Sequence, residues 1–102
     1  MEAVKKKEAF EGQLRVWWVP QVPMDPFTML VKSIPHAVLL LDALARYDLF
    51  QLEKRIKPDY SNAGGLEVFE GGEWVSWEVD GFDNPREYLD YLAENGLLEE
   101  QL

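Results

Sequence analysis

Two hydrophobic periods, one of two residues and one of three to four, divide the chain into six predicted elements. The run Leu14-Arg15-Val16-Trp17-Trp18-Val19 is β-branched and aromatic, the composition of a strand. Side chains alternate across a strand, so Trp17 and Trp18 must point to opposite faces. Pro20, Pro23 and Pro26 then fix their own φ angles and bias their predecessors towards extended geometry, which predicts an ordered, irregular connector. Phe27-Thr28-Met29-Leu30-Val31 reads as a second strand.

The period then changes. Ser33 is a good N-cap and Pro35 is tolerated in a first helical turn. Ile34, Val38, Leu41 and Ala45 recur at helical spacing, and Ala37, Leu40 and Leu44 widen the stripe. This predicts the main core helix to about Arg46, continuing after a break near Tyr47-Asp48 to Arg55. Lys57-Pro58 ends it, because proline cannot extend a hydrogen-bonded helix.

Residues 59–65 are rich in turn formers and read as a loop entering a hairpin. Leu66-Glu67-Val68-Phe69-Glu70 and the run from Glu73 to Val79 are its predicted strands, flanking Gly71-Gly72. Both glycines can take φ > 0, as a two-residue hairpin turn demands. Asn84-Pro85-Arg86-Glu87 opens a last helix with a cap and a first-turn proline, and Asn95-Gly96 stops it. The order β-β-α-β-β-α predicts an α+β domain. Its expected form is an antiparallel four-stranded sheet of two hairpin-like pairs, with a long helix on one face and a short C-terminal helix. Residues 1–13 read as a flexible or weakly helical arm, and residues 14–102 as a single domain.

Composition limits the function classes. Apolar residues are 47% of the 102, enough for one packed core despite a net charge of -9. The chain has no cysteine, which removes disulfides, thiolate metal sites and cysteine nucleophiles. The longest apolar stretch, Ala37 to Leu41, is far short of the roughly 20 residues of a membrane span. No hydrophobic signal region follows the N-terminus, so the expected location is the cytoplasm. From Asp59 onward there are twelve acidic residues and one basic residue, Arg86. Such a surface keeps a small protein soluble, repels nucleic acid and suits a basic partner.

Sites of chemistry are poorly supported, and the expectation is a protein without enzymatic activity or cofactor. Ser33, His36 and Asp42 supply the letters of a triad, but neither a nucleophile elbow nor an oxyanion glycine pattern surrounds Ser33. A helix cap accounts for it. Asp80, Asp83, Asn84 and Glu87 lack the spacing of a calcium loop, and a turn followed by a capped helix explains the same residues. Gly64-Gly65 and Gly71-Gly72 are not followed by the residues of a phosphate loop. Lys5-Lys6-Lys7 is short and neighboured by acids, as in a solvated arm.

The aromatic residues point to binding. Val75, Trp77 and Val79 share one strand face and Trp74 the other, so two tryptophans lie away from the helix-covered side. Cover by the arm or the C-terminal helix, an exposed binding face, and homodimerisation would each satisfy them.

Three strings carry a family resemblance. Trp17-Trp18-Val19-Pro20-Gln21-Val22-Pro23, Leu41-Asp42-Ala43-Leu44-Ala45-Arg46-Tyr47-Asp48-Leu49-Phe50-Gln51 and Ile56-Lys57-Pro58-Asp59-Tyr60-Ser61-Asn62-Ala63-Gly64-Gly65-Leu66 resemble small phage and prophage proteins of superinfection exclusion. The resemblance spans roughly Leu14 to Trp77. It implies an accessory protein that helps an infected host resist a second phage, and it brings no active site with it. Binding to a host or phage protein is then expected, with Lys57, Asp59, Tyr60, Asn62 and Trp74 as contact residues and Tyr60 at the centre. An acidic nucleic-acid mimic that inhibits a DNA-binding enzyme is the alternative.

Overall fold

Backbone hydrogen bonds order the strands β2-β1-β3-β4, every neighbouring pair antiparallel. The computed structural model describes residues 9–57 and 61–97. Its elements are β1 (Leu14–Val19), β2 (Phe27–Val31), α1 (Ile34–Glu53), β3 (Ala63–Glu70), β4 (Glu73–Ser76) and α2 (Pro85–Glu94). This is the α+β architecture expected, with two antiparallel pairs joined through the β1–β3 contact.

Local chemistry sets the element ends. Ser33 Oγ accepts the His36 N–H at 3.2 Å, capping α1 as its sequence suggested. Asn84 Oδ1 accepts the N–H groups of Arg86 and Glu87 and caps α2 in the same way. Gly71 and Gly72 take φ of 62° and 85°, the double positive-φ turn a two-residue hairpin needs.

Three boundaries differ from expectation. α1 runs unbroken through Tyr47 and Asp48 to Glu53. β3 begins at Ala63, so Gly64 and Gly65 lie within a strand and not in the loop before it. β4 ends at Ser76 because Asp80 and Gly81, both at positive φ, make a separate tight turn bridged by Val79 and Phe82.

Both helices pack on one face of the sheet. Val16, Val31, Leu66, Val68 and Trp77 meet Ile34, Ala37 and Val38 of α1 and Tyr88 and Leu92 of α2 in one core. Burying a side chain such as Val16, which has no exposed surface, stabilises by about 1.5–3 kcal/mol. Trp77 meets Tyr88 edge-on at 5.6 Å, so the C-terminal helix covers Trp77 and not the opposite face.

Candidate functional site

The carboxylate of Asp48 is the centre of a polar cluster inside this apolar frame. Only 2% of Asp48 is exposed. Its Oδ2 accepts Trp18 Nε1–H at 2.9 Å and Asn62 Nδ2–H at 3.0 Å, and pairs with Lys57 Nζ at 3.3 Å. Lys57, itself 8% exposed, also donates to the carbonyl of Pro20. The Val22 N–H donates to the Ser61 carbonyl at 2.8 Å. The cluster therefore ties together β1, the proline-rich connector, α1 and the chain on both sides of residues 58–60.

The sheet register explains how Trp18 reaches Asp48. Trp17 faces Gly65 and Trp18 faces Gly64 across the β1–β3 ladder. A Cβ at Gly64 would lie 2.6 Å from Trp18 Cζ3 and closer still to Cε3, and one at Gly65 would lie 2.8 Å from Trp17 Nε1. Each indole occupies the space a β3 side chain would need, one on each face of the sheet. On the helix side this leaves the Trp18 indole nitrogen directed to α1.

Burial limits what the ion pair adds to stability. Taking a carboxylate and an ammonium out of water costs several kcal/mol per ion, which their attraction offsets only with good geometry and further hydrogen bonds. Here the Trp18, Asn62 and Pro20 groups supply those bonds. Loss of either charge would leave the other buried without its counter-ion.

Beside the cluster lies an open cleft of about 330 Å³, between Pro20 and Phe27 on one side and Leu44, Tyr47 and Gln51 on the other. Tyr47 is 61% exposed and stacks on Phe50, with ring centroids 6.4 Å apart. The cleft thus has an aromatic rim standing in solvent and a floor fixed by a buried ion pair.

Of the residues expected to bind a partner, the structure brings Lys57 and Asn62 together on Asp48. Asp59 and Tyr60 lie outside the described residues. Trp74 sits elsewhere, on the sheet face away from the helices. It pairs across the ladder with Phe69, at 5.3 Å between rings, and Arg15 lies over its ring at 4.4 Å while bonding Glu67 at 2.7 Å. Along β3, Phe69 is about 20 Å from Ala63 at the usual rise per residue, so Trp74 and Asn62 mark separate places.

The remaining candidates hold the fold. His36 Nδ1 accepts the Lys32 N–H at 3.2 Å, and Asp42 pairs with Arg86 of α2, so Ser33, His36 and Asp42 do not converge on one another. Among the described residues, no group of three or more His, Asp or Glu could hold a metal ion, and no helix is long and apolar enough to cross a membrane.

Asp48 and Trp18 are the site residues that sequence reasoning missed. The signal was present: Ile34, Val38, Leu41 and Ala45 continue at the same spacing to Asp48, which puts a carboxylate on the apolar stripe. A charge on a buried stripe requires a partner, and Lys57 supplies it.

These features define a small α+β domain in which a buried carboxylate on the long helix binds side chains from three other places in the chain, beside an aromatic-rimmed cleft. Comparison with known proteins gives the family. The family model described as "Superinfection exclusion gene product 17" matches residues 13–94, from the start of β1 to the end of α2. A protein of Salmonella phage P22 described as "Superinfection exclusion protein" is 44% identical over 97 residues, covering 80% of this chain and 94% of the relative. No solved structure matches. The chain belongs to the superinfection exclusion gene product 17 family.

Proposed function

We propose that this protein acts in superinfection exclusion by binding a host or phage protein in the host cytoplasm, through a surface centred on residues 57–62 and the neighbouring cleft. The observation that carries this reading is the attachment of Lys57 and Asn62 to the same buried carboxylate. A buried ion pair is weak evidence of stabilisation, whereas buried polar contacts are well suited to fixing one geometry among several. What this one fixes is the two ends of the six-residue stretch 57–62, which holds Asp59 and Tyr60.

Lys57 and Asn62 are then positioning residues, and Asp59 and Tyr60 the contacts. The exposed ring of Tyr47 extends the surface across the cleft. Tyrosine is favoured in such places because its ring buries a large area at low entropic cost while its hydroxyl finds a polar partner. Trp74, on the other face, is a second contact for a partner that wraps the β3–β4 end of the sheet.

A plating assay tests the role and the surface separately. Cells making the wild-type protein are challenged with a phage from an excluded strain, beside cells making Tyr60→Ala or Trp74→Ala at equal level and equal melting temperature. Wild type is expected to depress plating, and Tyr60→Ala to restore it at least tenfold. Unchanged exclusion by the Tyr60 variant would move the contact surface elsewhere, and absence of exclusion by wild type would remove the role.

A further inference from the structure

The outer edge of β2 is open: β2 pairs with β1 on one side, and among the described residues no strand pairs with it on the other. Its five residues, Phe27-Thr28-Met29-Leu30-Val31, include no charge and no proline. Natural edge strands are commonly protected by such residues or by being very short. β4, at the opposite edge, is four residues long and begins with an exposed glutamate, Glu73. β2 has no comparable protection.

Its side chains repeat the message on both faces. Met29, on the helix side, is 42% exposed, and Leu30, on the other, is 51% exposed. Apolar groups on both faces of a strand, beside unpaired backbone donors and acceptors, fit an incoming strand that continues the sheet.

We propose that β2 pairs antiparallel with β2 of a second copy, joining two sheets into one of eight strands. Charge selects that occupant. Asp25 precedes the strand and Lys32 follows it, both exposed. Antiparallel two-fold pairing is isologous and reverses one strand against the other, so the acid end of each copy meets the basic end of its counterpart. With the five residues fully overlapped, Phe27 faces Val31, Met29 faces its own counterpart, and Lys32 faces Pro26, one residue from Asp25 of the second copy. Both residues are exposed just outside the strand, so their opposite charges attract at close range without sharing a strand face. The inference rests on the strand edge and requires nothing of the residue 57–62 segment, although Phe27 of β2 also lines the neighbouring cleft.

Self-opposition of one residue gives a direct test. Cα atoms facing each other across an antiparallel ladder are about 4.5–5.5 Å apart, within the range a disulfide spans. Because the chain has no cysteine, Met29→Cys introduces a single thiol. Under mild oxidant at micromolar protein, Met29→Cys is expected to form a covalent dimer at least ten times faster than Glu73→Cys on the opposite edge. Sedimentation supplies the second arm. Wild type is expected to reach twice the 11.8 kDa chain mass, Lys32→Asp to weaken the dimer at least threefold, and Asp25→Lys with Lys32→Asp to restore it. Wild type that stays monomeric at hundreds of micromolar, equal cross-linking at both edges, or a charge swap without restoration would each overturn the proposal.

Discussion

The benzo edge of the Trp18 indole lies over the backbone of Gly64, its directly paired neighbour on β3, in the space where any other residue would place its Cβ. The same contact leaves the indole nitrogen 2.9 Å from Asp48 Oδ2. One glycine therefore connects the sheet register to the buried cluster. Gly64→Ala must displace a ring that is 7% exposed and held at its other end by a hydrogen bond. We expect it to cost about 1–3 kcal/mol, the usual range for overpacking. Gly65→Ala should cost less, because Trp17 is only partly buried and has room to shift on the open face. Urea midpoints of the two variants, measured side by side, check the order; equal losses would contradict it.

Asp48 and Lys57 should behave as one unit. Removing either partner of a buried ion pair typically costs about 3–5 kcal/mol, because the other charge is left without its counter-ion. Asp48→Ala is expected at the upper end, since it also orphans the Trp18 and Asn62 donors. Replacing both charges with apolar groups of similar size, as in Asp48→Leu with Lys57→Met, should recover much of the loss. A double-mutant cycle on unfolding free energy reads the coupling directly. Additive effects would mean that the pair contributes nothing jointly.

Much of the fold is legible from pattern alone. β1 and β2 follow from their β-branched and aromatic runs, and the Gly71-Gly72 turn follows from the demand for positive φ at both positions. The caps at Ser33 and Asn84 follow from side chains that can satisfy free N–H groups. Where pattern fails, the cause is tertiary. Gly64 and Gly65 read as loop residues because glycine is poor in isolated strands; only the two indoles across the ladder make it necessary there. A helix break was expected near Tyr47-Asp48, and only Lys57, Trp18 and Asn62, brought in from three other places, make Asp48 a core residue of an unbroken helix. The region proposed to bind was thus visible as a distinctive string, while the chemistry that fixes it was not.

The central claim, that the segment pinned by Asp48 is the contact surface, is tested most directly by photo-crosslinking in infected cells. A photoreactive residue replaces Tyr60 in one variant and Asp90, exposed on α2, in another. The account predicts a discrete adduct with one host or phage protein from position 60 during challenge infection, and none from position 90. Adducts of equal yield from both positions, or from position 90 alone in folded protein, would contradict it.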